Sequence, residues 1–211
     1  MSQVAISGNA SGTGTLTIAA PNTNSNYTLT LPQATTTLVG TDATQTLTNK
    51  TIQGGAINSG TAVASTSGTS VNFTDIPNWV KRVTVMFNGV STSSTSNVII
   101  QLGTGATPTY TTSGYLGTNT TQTGTAELFT SGFTVVSSQA AASVWHGNIV
   151  ITNVTSNTWT ESAILGNSNA AGTRGSGGSI PLAAALTAVR ITTSNGTDTF
   201  DAGSVNIMYE G

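Results

Sequence analysis

Apolar and hydroxyl-bearing residues alternate along much of this chain, and the period is two. In Gly14-Thr-Leu-Thr-Ile-Ala-Ala and Asn26-Tyr-Thr-Leu-Thr-Leu-Pro the alternation puts Leu16 and Ile18, then Tyr27, Leu29 and Leu31, on one face of each of two predicted strands. Pro21-Asn-Thr-Asn-Ser-Asn between them is turn chemistry, so the pair reads as a hairpin with one apolar and one hydroxyl-covered face. Further strands are predicted at Val80–Phe87, Asn97–Leu102, Ser143–Ile151, Thr158–Leu165, Ala188–Thr193 and Ser204–Glu210. Asn88-Gly89 reads as a two-residue turn that folds Val80–Phe87 onto Asn97–Leu102. Asn195-Gly196 reads as a second, closing Arg190–Thr193 onto Asp198–Phe200. Trp145, Ile149 and Ile151 share one face, as do Val205, Ile207 and Tyr209. Only Pro181–Leu186 has a helical look, and it spans barely two turns. Many short strands with turn signals between them predict an all-β fold, a β-sandwich of jelly-roll type.

Composition divides the chain near residue 60. Residues 1–60 hold no Trp or Phe, one Tyr (Tyr27) and two charged side chains, Asp42 and Lys50. A segment so poor in apolar mass cannot build a core of its own, and an isolated hairpin is unstable in water. Its apolar face (Leu16, Ile18, Tyr27, Leu29 and Leu31) is therefore expected to pack on sister chains or a docking surface. Residues 61–211 carry all three Trp, every Phe and three of the four Tyr, enough for one ordinary domain.

Charge is scarce throughout. Charged residues make up 6% of the 211, against about 25% in ordinary soluble domains. Hydroxyls and amides replace them, with 43 Thr, 24 Ser and 18 Asn. Five Lys+Arg against seven Asp+Glu leave no basic stripe for nucleic acid. Without Cys there is neither a disulfide framework nor a thiolate metal site. The N-terminus has no basic and apolar leader pattern, and no run of about 18 apolar residues occurs, so neither a classical export signal nor membrane insertion is expected.

Catalysis needs converging titratable groups, and few are available. Asp198 and Asp201, beside Asn195-Gly196, read as turn residues that accept backbone N–H groups rather than as a catalytic or metal-binding pair. His146 falls on the strand face opposite Trp145 and reads as a hydrogen-bonded strand or interface histidine. No enzyme activity, cofactor or metal is expected. The candidate contacts lie elsewhere. Gly103–Gly124, with Tyr110 and Tyr115, reads as an exposed contact loop, and Gly166–Ser179, with Arg174, as a second. The plainer alternative puts the two tyrosines on edge strands or at a subunit contact and makes the second loop a connector. Trp145 and Trp159 fall in core patterns, whereas Trp79, after a proline and before charge, is the tryptophan expected at the surface.

Two sets of strings carry a resemblance. Gly12–Ile52, with Thr-Leu-Thr-Asn-Lys-Thr at Thr46–Thr51 as its most distinctive piece, resembles the N-terminal or shaft-proximal module of fibre and structural proteins of tailed bacteriophages. Phe73–Ser91 together with Val189–Glu210 is similar to a small β-domain found at the distal ends of phage fibres. Thr92–Ala188 carries no resemblance. The likeness implies a virion protein assembled in the bacterial cytoplasm and acting outside the cell. It also implies an intertwined homotrimer, with residues 1–60 anchored to other tail, collar or capsid proteins. Residues 61–211 would project towards a host-surface glycan or protein. A capsid decoration or cement protein, or a collar or head–tail adaptor fibre with a purely structural role, is the alternative.

Overall fold

The computed structural model describes residues 11–14, 22–26, 57–120, 124–141 and 143–211. The chain divides into two units, Met1–Lys50 and Thr51–Gly211. In the first, the expected turn bends at Asn22–Asn26, where the Ser25 N–H donates to Thr23 Oγ1 at 3.1 Å. The predicted anchoring face of Leu16, Ile18, Tyr27, Leu29 and Leu31 lies outside the described residues.

The second unit is all-β. In chain order its strands are β1 (Ile57–Ser59), β2 (Val63–Ala64), β3 (Ser70–Phe73), β4 (Arg82–Thr92), β5 (Val98–Thr104), β6 (Thr109–Tyr110) and β7 (Leu116–Thr120). There follow β8 (Ala126–Phe129), β9 (Phe133–Val136), β10 (Trp145–Thr155), β11 (Thr158–Asn167), β12 (Gly172–Pro181), β13 (Leu186–Thr193) and β14 (Phe200–Glu210). They form two antiparallel sheets. The larger runs β1-β14-β4-β10-β11-β12-β7-β8, with β2 also on β14; the smaller runs β3-β13-β5-β6, with β9 also on β5. Because β1 pairs with β14, the sandwich begins at Ile57, ahead of the expected start at residue 61.

The period-two pattern explains the core. Val83, Val85 and Phe87 of β4, Ile149 and Ile151 of β10, and Val205 and Ile207 of β14 face inward from the larger sheet. They meet Val71 and Phe73 of β3, Ile100 and Leu102 of β5, and Val189 and Ile191 of β13. Phe133 is packed edge-on to Tyr115 at 4.9 Å and to Phe129 at 6.2 Å between centroids. Trp145 and Trp159 are buried as expected.

Several connections differ from the sequence reading. Asn88-Gly89 does not turn the chain: β4 runs straight through it, and β4 and β5 lie in opposite sheets. The dipeptide sits instead at a bulge, where Gly89 (φ 70°) faces Gly203 (φ 88°) of β14 and the pairing shifts register between Ala202 and Ser204. Asn195-Gly196 does turn, with the Gly196 N–H donating to the Thr193 carbonyl at 3.0 Å, but it carries the chain from β13 in one sheet to β14 in the other. Pro181–Leu186 is not helical; Pro181 ends β12 and Leu186 opens β13. Of the two expected loops, the first is interrupted by short strands and the second is largely strand. Gly103–Gly124 contains β6 and β7, and Gly166–Ser179 contains most of β12.

Candidate functional site

The alternation that buries Val189 and Ile191 of β13 turns Ala188, Arg190 and Thr192 to the opposite, outer face of the smaller sheet. Across the ladder they meet Gly103, Gln101 and Ile99 of β5. Gly103 has no Cβ, and the Tyr110 ring fills that space: a Cβ there would stand 3.0 Å from Tyr110 Cδ1. Tyr110 in turn stacks with Arg190, whose guanidinium carbon is 4.3 Å from the ring centroid. Burial pushes the Tyr110 phenol above its usual pKa, against the pull of Arg190.

Arg190 is held from its other side by Gln101. Its Nε–H donates to Gln101 Oε1 at 3.0 Å and an Nη2–H reaches the same oxygen. Gln101 Nε2 donates to the Ser131 carbonyl at 2.8 Å, which fixes the amide that fixes the arginine. A cleft of about 320 Å³ opens beside this pair, walled by Thr112, Ser131, Thr192 and the Ser194–Gly196 turn. Among the described residues the one ion pair is Arg82–Glu210, so Arg190 has no carboxylate partner there.

The larger sheet has a second open surface. Its outer face carries a shallow hollow of about 810 Å³ over Val150, Ser162, Ile164, Gly175, Gly177 and Thr118. Ile164 is 75% exposed and Leu128 84%, with exposed Leu116 on the same face as Thr118. Trp79 lies elsewhere, 41% exposed and tilted against Tyr209 at 5.9 Å.

No protein family model, curated protein or solved structure matches the chain.

The predicted contact residues separate into two groups. Trp79 is at the surface, and Tyr110 is half-buried against Arg190. Tyr115 and Arg174 are corrections. Tyr115 is fully buried, its hydroxyl accepts the Leu102 N–H at 2.8 Å, and burial raises its pKa to about 12. Arg174 is buried on the inner face of β12, its Nε–H on the Ser137 carbonyl at 2.9 Å and its guanidinium 4.9 Å from the Trp145 ring. Desolvation lowers its pKa. Both residues hold the core together and neither offers a surface contact.

His146 has the structural role its alternation suggests. Its Nδ1 accepts the Gly89 N–H at 3.1 Å, a donor the bulge would otherwise leave unpaired, and its Nε2 lies 3.1 Å from Ser168 Oγ. Asp198 accepts from Asn195 Nδ2 at 2.6 Å and from the Ser96 N–H at 3.2 Å, a turn residue as expected. Its pKa is lowered chiefly by the Asn195 bond. Among the described residues no group of three or more His, Asp or Glu is placed to hold a metal.

Sequence reasoning passed over Glu161. Trp159, Glu161, Ala163 and Leu165 alternate onto one buried face, so the carboxyl points inward, where Ser176 Oγ donates to Oε1 at 2.7 Å. Among the described residues Glu161 Oε2, both side-chain polar atoms of Asn119 and Trp159 Nε1 have no hydrogen-bond partner.

Proposed function

We propose that this chain is a fibre or spike protein of a tailed-bacteriophage virion. The segment ahead of Ile57 attaches it to the particle, the sandwich from Ile57 onward, of jelly-roll type, projects outward, and three copies assemble through the apolar face of the anchoring segment. The function is adhesion to a host-surface glycan or protein, without covalent chemistry. Three identical tips multiply weak contacts through effective concentration, so no single tip needs high affinity.

One observation supports this reading above the others. The two stretches that resemble a phage-fibre β-domain lie far apart in sequence, yet they pair with each other in both sheets. Arg82 to Ser91 of β4 run along Glu210 to Ala202 of β14 in the larger sheet, and Phe73 of β3 faces Val189 of β13 in the smaller. The stretch without a resemblance supplies β5 to β12 around that unit.

The test is competition. Purified full-length chain added to host cells is expected to block adsorption of the phage whose genome encodes it, in a dose-dependent way; unchanged adsorption at saturating protein would contradict the adhesive role. The exposed Ile164, Leu128 and Leu116 favour a second reading, a capsid decoration protein that covers this face against a neighbouring capsomer. In that case virions lacking the protein lose heat or osmotic resistance while adsorbing normally.

A further inference from the structure

We propose that the cleft on the outer face of the smaller sheet is a binding site for a carboxylate-bearing sugar, with Arg190 as the residue that receives the carboxylate. The inference rests on the adhesive reading above and goes beyond it by naming the site and the ligand class.

Three features of the cleft carry it. Arg190 is a fixed cation: Gln101 holds its Nε and Nη2 edge, Tyr110 covers one side, and Gln101 is itself tied to the Ser131 carbonyl. A guanidinium has five N–H donors, and the two bonds to Gln101 leave donors over in a side chain that lines the cleft. Positive charge is also rare here. The chain has five Lys+Arg in all, and Arg190 has no carboxylate partner among the described residues. A planar fork with unused donors and uncompensated charge suits a carboxylate better than a neutral group.

The walls specify the rest of the ligand. Thr112, Ser131 and Ser194 line the cleft with hydroxyl-bearing residues, which match a ring bearing several hydroxyl groups, while Thr192 and Asn195 are held by the Thr69 carbonyl and the Asp198 turn. At about 320 Å³ the space suits one or two sugar rings. The nearest carboxylate of the turn, Asp198, is occupied by Asn195 and the Ser96 N–H and does not line the cleft. Arg190 and Gln101 also sit on paired central strands, a rigid mount for a contact meant to be repeated across several tips.

The experiment uses the full-length chain and four small probes: glucuronic acid, its methyl ester, glucose and inorganic phosphate, with binding followed by NMR titration. Glucuronic acid is expected to perturb the Tyr110 ring and Thr192 signals and to bind at least tenfold more tightly than the ester or glucose. Equal binding of acid and ester would overturn the proposal, as would phosphate binding as well as glucuronate, and this comparison needs no variant. Arg190→Gln is expected to abolish the preference for the acid. Gln101→Glu, which gives Arg190 an internal carboxylate, is expected to do the same while keeping the sandwich folded; an undiminished preference in this second variant would also overturn the site. A chain that blocks adsorption but ignores glucuronate removes this site and leaves the adhesive function standing, whereas one that binds glucuronate without blocking adsorption does the reverse.

Discussion

Glu161 and Arg174 are the two charged side chains buried in the described sandwich, and neither neutralises the other. Arg174 bonds the Ser137 and Thr173 carbonyls and lies over the Trp145 ring, while Glu161 receives a single hydroxyl donor, Ser176. Burial accordingly pushes the Glu161 carboxyl up to about 7 from 4.5, and the Ser176 bond only partly opposes it. Between those values the folded state holds a proton that the unfolded chain has released. Stability therefore falls as pH rises from about 4.5 through about 7, and is level above that. Glu161→Gln keeps an acceptor for Ser176 and removes the titration. Above pH 7 it is expected to stabilise the fold by on the order of 3 kcal/mol, an upper bound, and at pH 4 to change little. Urea unfolding at pH 4 and pH 8 reads both numbers, and an equal loss of stability at the two pH values would contradict the assignment.

At the scale of elements, the bulge of β4 against β14 leaves no room for a side chain at Gly203. Gly203 has φ 88°, and a Cβ there would overlap the Gly89 carbonyl, so neither its backbone nor its surroundings admit a side chain. Gly203→Ala is expected to cost about 2–3 kcal/mol by urea unfolding, because it adds backbone strain to a direct steric conflict. A change below half a kcal/mol would mean that the bulge relaxes freely. The same region shows what alternation can and cannot tell. The face of each long strand was legible, since the period puts Trp145, Ile149, Val205 and Ile207 inward wherever the strand is placed. The partner of each strand was not. Asn-Gly dipeptides mark positions that accept positive φ, and a bulge and a crossover between sheets use that property as readily as a hairpin does. The cleft was hidden for this reason: Arg190 is outward by parity, but Gln101 reaches it only because β5 pairs with β13 rather than with β4. Arg174 was misplaced because its Gly-rich stretch forms β12, whose inward position buries the guanidinium on a backbone carbonyl, and Tyr115 because the irregular segment ahead of β7 folds inward and sets its phenol on the Leu102 N–H.

For the whole molecule, the account requires assembly. The sandwich carries its own core, whereas the proposal relies on the segment ahead of Ile57, poor in apolar residues, being held by partner copies. Sedimentation equilibrium of the full-length chain is expected to give three times the 21.2 kDa chain mass; a monomer at micromolar concentration would contradict the trimeric part of the proposal. The central claim is a place on the particle. Cryo-EM of virions decorated with antibody fragments raised against the sandwich tests it most directly: the account predicts label in threefold clusters on fibres or spikes that project from the particle. Label spread over the capsid lattice, or no label on intact virions, would contradict it.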